Sequence, residues 1–288
     1  MYKRQELSLY GRFDFILAKD GTPKILEFNA DTPTSLLEAS VIQWQWKEDV
    51  FPECDQFNGI HEGLVQSWKD IFPKKGEIYF AGALENNEDT GTLQYLASTA
   101  MEAGFSTRVL DMQALDLQNG RFFDPAGELV NRCFKLYPWE WMVDESPDGC
   151  LAEMEWLEPI WKLVMSNKAI LATLYELFPD SPYVLPCYLS RPRSGLFCKK
   201  PVFSREGHNV SVVDIRNWEE HVRIAETEGD YNTGAYVYQE YVEPTVYSGR
   251  YPVIGSWIIG GEAAGIGIRE NRMEVTDNLS EFVPHIIG

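Results

Sequence analysis

The sequence predicts an α+β fold, and three observations carry that prediction: an opening strand pair, a β–α–β pattern in the first half, and strands around a small glycine loop in the second. The opening pair runs from Tyr10 to Leu17 and from Lys24 to Asp31. Between them, Asp20 and Gly21 read as a two-residue hairpin turn, which sets Asp14 opposite Glu27 and Arg12 opposite Asn29. Those four side chains then share one face. Phe13, Phe15, Leu26 and Phe28 take the other, with the period of a half-buried strand. Two carboxylates directly across from each other repel unless a cation lies between them. Asp14, Glu27 and the amide oxygen of Asn29 form a hard, all-oxygen ligand set of the kind that holds Mg²⁺ beside a phosphate. A solvated strand face is the plain alternative.

The segment from Asp31 to Ala39 predicts a helix start, with Thr32 as cap and Pro33 at the first helical position, or with Ser35 as cap in a box closed by Glu38. Leu37, Val41 and Trp44 recur at helical spacing and are expected to pack. A helix N-terminus presents unpaired N–H groups and favours anions, so Asp31, Thr34 and Ser35 are candidates to meet an acid substrate. Metal face and anion site would then adjoin, as a reaction between ATP and a carboxylate requires.

Further along, the apolar run from Glu77 to Leu84 predicts a strand, the stretch from about Thr92 to Ala103 a helix, and Thr107 to Leu110 a parallel strand. The loop inside this unit lacks the glycine pattern of a dinucleotide site. Glu88 and Asp89 stand either at the carboxyl end of a strand, where ligands bind, or as acids complementing a helix dipole. Asp124 to Gly127 reads as a turn between two apolar segments, and the aromatics around Glu140, from Lys135 to Trp141, read as core. Turn formers crowd together at Asp144–Gly149. That places a metal-binding hairpin and substrate-side α/β region in 1–148 and a nucleotide-binding region in 149–288.

In the second half, Lys168 falls near a helix start, where a lysine is electrostatically awkward unless an anion is bound. Cys198 to Phe203 reads as a strand carrying Lys200, and Ser204 to Val210 as a glycine loop whose N–H groups can fold over phosphates, with Arg205, Glu206, Gly207 and Asn209 in it. The strand from Tyr236 to Val242 ends in Gln239 and Glu240, groups able to read an adenine edge or a ribose. A hairpin from Tyr251 to Glu270, turning at Gly260 and Gly261, delivers Arg269, which could hold a phosphoryl group in transfer. Singly, each of these cations also fits a surface salt bridge.

With 44% hydrophobic residues among 288, the chain can bury a large core in one or two domains. The net charge of −19 argues against nucleic acid or an anionic membrane as partner and is compatible with a cationic substrate. Cys54, Cys133, Cys150, Cys187 and Cys198 are scattered without metal-ligand spacing and read as reduced thiols. No segment is long and apolar enough for a bilayer, and a cytoplasmic location is expected.

Residues 11–15, 27–39, 166–171, 200–207 and 255–259, in that order, resemble the glutathionylspermidine synthase family, an ATP-grasp group of carbon–nitrogen ligases. Residues 265–270 and 276–285 extend the resemblance to nearly the whole chain. It implies an ATP-grasp-like fold, permuted so that the metal hairpin precedes the nucleotide strands, as in glutathione synthetases of the eukaryotic type. It further implies Mg²⁺ on Asp14, Glu27 and Asn29, ATP on Lys168 and Lys200, and a phosphate loop containing Arg205 and Gly207. Arg269 would steady an acyl phosphate with Arg12 beside it, and Asp277 would join Glu88 and Asp89 on the substrate side. Family members usually carry a sizeable segment before the Gly-Arg-Phe-Asp motif, which this chain reaches at Gly11, so that segment is expected to be missing. The expected function is an ATP- and Mg²⁺-dependent ligase that joins a glutathione-like peptide carboxylate to a polyamine-like amine. A relative that binds or hydrolyses ATP without ligation, or a noncatalytic binding module, is the alternative.

Overall fold

The computed structural model describes residues 8–205, 207–224, 227–229, 231, 234–273 and 280–288. It is a mixed α/β structure built on several sheets. Strands β1 (Tyr10–Leu17) and β2 (Pro23–Asn29) form the predicted hairpin. The structure pairs Arg12 with Asn29 and Asp14 with Glu27 as the sequence predicts, by a route the sequence did not show. The turn is a three-residue loop rather than a two-residue one: Ala18 N–H donates to Thr22 O at 3.0 Å, and Gly21 takes a φ of 81°. That loop alone would slip the register by one residue. A β-bulge between Asp14 and Phe15, with Leu26 as the extra residue on β2, restores it at the site. Leu26 therefore lies along the same pocket as Asp14 and Glu27 instead of joining the apolar face, where Phe13 and Phe28 stack at 4.0 Å.

The helix that follows departs from expectation. Ser35 precedes it in the left-handed region at φ 65°, and no side-chain cap closes it. A π-helical turn, Glu38–Ile42, leads into α1 (Gln43–Val50). The wider turn rotates the packed side onto Leu36, Ala39, Ser40 and Gln43, and leaves Val41 and Trp44 exposed.

Helix α2 (Ile60–Ile71) precedes the β–α–β unit of β3 (Glu77–Gly82), α3 (Asn87–Glu102) and β4 (Ser106–Asp111), which is parallel as predicted. A small meander follows: β5 (Asp116–Gln118), β6 (Arg121–Phe123) and β7 (Leu129–Val130), the last two joined through the turn at Asp124–Gly127. Next come β8 (Arg132–Leu136), α4 (Trp139–Glu145), α5 (Pro147–Cys150), β9 (Glu155–Leu157), α6 (Lys162–Ser166) and α7 (Ile170–Leu177). The strands that follow are β10 (Cys187–Tyr188), β11 (Gly195–Pro201), β12 (Ser211–Arg216), β13 (Glu219–Ile224) and β14 (Tyr236–Glu240). The last three are β15 (Tyr251–Ile259), β16 (Glu262–Asn271) and β17 (Glu281–Val283).

One five-stranded sheet has the order β17-β16-β15-β1-β2, a second β10-β14-β11-β12-β13, and a parallel sheet β4-β3-β8-β9. The first takes strands from both sides of residue 148, and β9 completes a parallel sheet that begins at β3. The main core lies between the hairpin sheet, α2, α3 and the parallel sheet. There the buried Trp68 meets Phe80 and Phe134 edge-on, and Tyr10 stacks on Trp257. Among the described residues no helix is long and apolar enough to cross a membrane. The five cysteines carry free thiols.

Candidate active site

The hairpin face gathers charge densely. Asp14 is almost fully buried, and its two oxygens take Arg12 Nε at 2.6 Å and Arg12 Nη2 at 2.9 Å, with Arg269 Nη2 at 3.0 Å. Glu27 accepts Lys168 Nζ at 2.9 Å. Asn29 Nδ2 donates to both acids at 3.2 Å, so the three predicted metal ligands do converge. The cations answer the repulsion that opposed carboxylates would otherwise suffer. Burial alone would raise the Glu27 carboxyl, but the charges of Lys168 and Lys200 and the bonds from Lys168 and Asn29 hold it well below the usual carboxylate range. Burial, and then the like charge of Arg12, lower the Arg269 guanidinium, with Asp14, Glu27 and Glu88 opposing. Two carboxylates and an amide within hydrogen-bond reach of one another fit a hard cation such as Mg²⁺, the amide turning its oxygen inward. Among the described residues no cluster of three or more His, Cys, Asp or Glu side chains offers a different metal site.

Beside this face opens a pocket that contains Asp14, Glu27, Lys168, Lys200, Gly207, Gln239 and Glu240, all named from the sequence. Its apolar walls are Ile16, Leu26, Leu185, Val210, Val242 and Val253. The bulge explains how the hairpin meets the second five-stranded sheet. Lys200 Nζ donates to the Leu26 carbonyl at 3.1 Å, and Gln239 Nε2 donates to the Ile25 carbonyl at 2.8 Å. Gln239 also accepts Lys200 Nζ at 2.8 Å, so both ends of its amide are used. Gln239 lines the pocket and orients a lysine within it. Lys168 Nζ donates to Ser204 O, and Lys168 N–H to Val202 O at 3.0 Å, which fixes the base of the glycine loop.

A narrower cavity continues from Lys168 past Asn29, Thr32, Ser166 and Arg205 to Glu140. Thr32, expected as a helix cap, instead accepts Arg205 Nη1 at 2.6 Å. Asp31 is fully buried and committed: Lys135 Nζ lies at 2.7 Å and Trp139 N–H at 2.9 Å. Thr34 offers its carbonyl to Arg12, and Arg12 lies over the Trp257 ring, 5.6 Å from its centroid. Asn209 is buried at φ 55° and accepts Tyr231 N–H at 2.8 Å. Glu88 and Asp89 occupy the first turn of α3 behind the Asn86 cap, the dipole-complementing position, and their charges reach Arg269 and Tyr10. Glu206 and Asp277 lie outside the described residues.

The sequence reading missed Glu140, Ser166, Lys135, Glu158 and Lys162. Ser166 Oγ accepts the N–H groups of Ala30 and Asp31 at 3.1 and 2.9 Å, and Lys162 Nζ donates to the carbonyls of Tyr10 and Ala30 at 2.8 and 2.9 Å. Glu158 Oε1 takes the N–H groups of Leu9 and Tyr10. Burial raises the Glu158 carboxyl despite Lys162. Together these groups anchor both ends of the hairpin, and a lone acid or lysine in an apolar run was the one available signal.

The profile of the family described as glutathionylspermidine synthase preATP-grasp matches residues 1–288, and the chain belongs to that family. It is 39% identical to a Haemophilus influenzae protein that bears the provisional name acid–amine ligase, over 99% of this chain and 76% of that one. It is 28% identical to the trypanothione synthetase of Crithidia fasciculata, over 98% of this chain but 47% of the relative, so it spans about half of that longer protein. Among solved structures, a Methylobacillus flagellatus protein provisionally named gamma-glutamylcysteine synthetase superposes with a TM-score of 0.66, covering 97% of this chain and 80% of that one, at 10% identity. That last likeness is one of fold.

Proposed function

We propose that the chain is an ATP- and Mg²⁺-dependent acid–amine ligase with a permuted ATP-grasp architecture. It activates the carboxylate of a small, glutathione-like peptide and passes the acyl group to a polyamine-like amine. The observation that supports this most is the junction of the Asp14–Glu27–Asn29 face with a pocket holding Lys168 and Lys200. In this reading the adenosine part of ATP lies along Ile16, Leu185 and Val253, and Lys168 and Lys200 hold the phosphates. Mg²⁺ on Asp14, Glu27 and Asn29 supplies charge compensation for the triphosphate when bound. Arg12 keeps Asp14 in place, and Arg269, also bonded to Asp14, stands to meet the transferred phosphoryl group.

A carboxylate oxygen of the acid attacks the γ-phosphorus, the bond to the β-phosphate oxygen breaks, and ADP leaves. The neutral amine then attacks the acyl carbon and expels inorganic phosphate, losing a proton as the amide forms. Glu88 and Asp89, with Asp277, supply negative charge for a cationic amine, and Thr34 and Ser35 border the acid. Incubation with Mg²⁺-ATP and a matrix of acids (glutathione among them) and amines (spermidine among them) tests the reading. The expected result is ADP release that needs both partners, with the amide found by mass spectrometry. ADP release indifferent to acid and amine would place the protein among non-ligating relatives.

A further inference from the structure

The glycine loop is anchored at its base, and the side chain of its Arg205 is held by another part of the molecule. Arg205 Nε and Nη2 donate to Glu140 Oε1 at 3.0 and 2.6 Å, and Nη1 donates to Thr32 Oγ1 at 2.6 Å. Glu140 stands in the first turn of α4, and the start of that helix is fixed by the bond from Trp139 N–H to the buried Asp31. Asp31 is locked in turn by Lys135. The route from Asp31 to Trp139 to Glu140 is therefore rigid, and it ends on the guanidinium that overlooks the cavity shared by Asn29 and Lys168.

We propose that Glu140 is a positioning residue for this site, holding Arg205 across the narrow cavity so that its guanidinium is preset for the terminal phosphoryl group of a bound nucleoside triphosphate. The proposal rests on the nucleotide reading of the pocket given above. A guanidinium has five N–H groups, and Glu140 and Thr32 take three, which leaves two for an anion without breaking either contact. Glu140 uses one carboxylate oxygen for both of its bonds, so it fixes the plane of the guanidinium and leaves the Nη edge open. A preset donor spares the ordering cost that a free arginine side chain would incur on binding.

The test measures dissociation constants by calorimetry, with Mg²⁺, for ADP and for a β,γ-imido analogue of ATP. Glu140→Gln keeps size and removes the charge that holds Arg205. It is expected to lower the preference for the triphosphate over the diphosphate by about tenfold, with ADP affinity within about twofold of wild type. Arg205→Ala should lose as much, and the double variant no more than Arg205→Ala alone, because the first residue acts through the second. Glu140→Asp, which keeps the charge, should lose less than Glu140→Gln, and equal melting temperatures for Glu140→Gln and wild type exclude a mere folding defect. An unchanged preference, a tighter triphosphate, or equal loss of both nucleotides in Glu140→Gln overturns the positioning role alone. Wild-type protein that binds neither nucleotide overturns the nucleotide reading, and this role with it.

Discussion

At Glu27, charge and burial oppose each other and charge wins, which makes its ionisation a stability statement. The folded carboxyl lies well below its unfolded value, so its contribution is present above the unfolded pKa of about 4.3 and is lost as pH falls toward the folded one. Glu27→Gln leaves Lys168 without its carboxylate. The variant should melt below wild type at pH 7, and the gap should narrow progressively under about pH 4 as the unfolded wild-type chain takes up its proton. A pH series of melting curves decides this, and a gap that stays constant down to pH 3 contradicts it. Ser35 offers a second test at the same scale. Its φ of 65° suits glycine, and its hydroxyl has no cap to make, so Ser35→Gly should stabilise the chain by about 1 kcal/mol in urea titration, less the entropy that glycine adds to the unfolded state.

Among the elements, β15 shapes the site by lacking a side chain. Gly255 faces Asp14 across the ladder, and a Cβ there would come within 2.7 Å of Arg12 Cδ. Gly255→Ala should push Arg12 off Asp14, lowering the melting temperature by several degrees, on the order of 1–3 kcal/mol. It should also weaken Mg²⁺-dependent nucleotide binding, while Gly261→Ala, strained at a φ of 95° but with nothing near its Cβ, should leave that binding alone. The elements also show what the sequence could disclose. The facing of Asp14 and Glu27 was legible from alternation and a turn signal, although the structure reaches it through a longer loop and a compensating bulge. Bulges leave no period of their own, so Leu26 was put on the wrong face. The π turn at Glu38–Ile42 likewise rotates the helix away from the regular spacing that suggested Val41 and Trp44 as packed residues. Of the pocket residues, Lys200 and Gly207 were legible because strand, loop, strand order carries them, Lys168 from its place near a helix start, and Glu240 from the end of a strand. Glu140 was not, because its partner is 65 residues away and the aromatics around it point to core.

For the molecule as a whole, the buried pair of Asp31 and Lys135 joins the hairpin sheet to the parallel sheet, across 104 residues of chain and with both side chains shut from solvent. Burial lowers the Lys135 ammonium and Asp31 opposes that, so each charge depends on the other. Breaking such a pair from one side strands a charge in the interior, which costs about 3–5 kcal/mol, whereas replacing both members with apolar groups of similar volume is often close to neutral. Asp31→Leu and Lys135→Met should therefore each lower the unfolding free energy by that amount, and the double variant should recover part of the loss, the Trp139 N–H staying unpaired. Recovery of stability need not restore function. Asp31 also receives Trp139 N–H, which seats α4 and hence Glu140, so the double variant should fold well and still lose the preference for triphosphate over diphosphate. Urea titration and calorimetry on the same preparations separate the two effects. A double variant as unstable as either single one would show that the pair is not the tie between the two sheets, and one that keeps full nucleotide discrimination would show that the placing of α4 does not depend on Asp31.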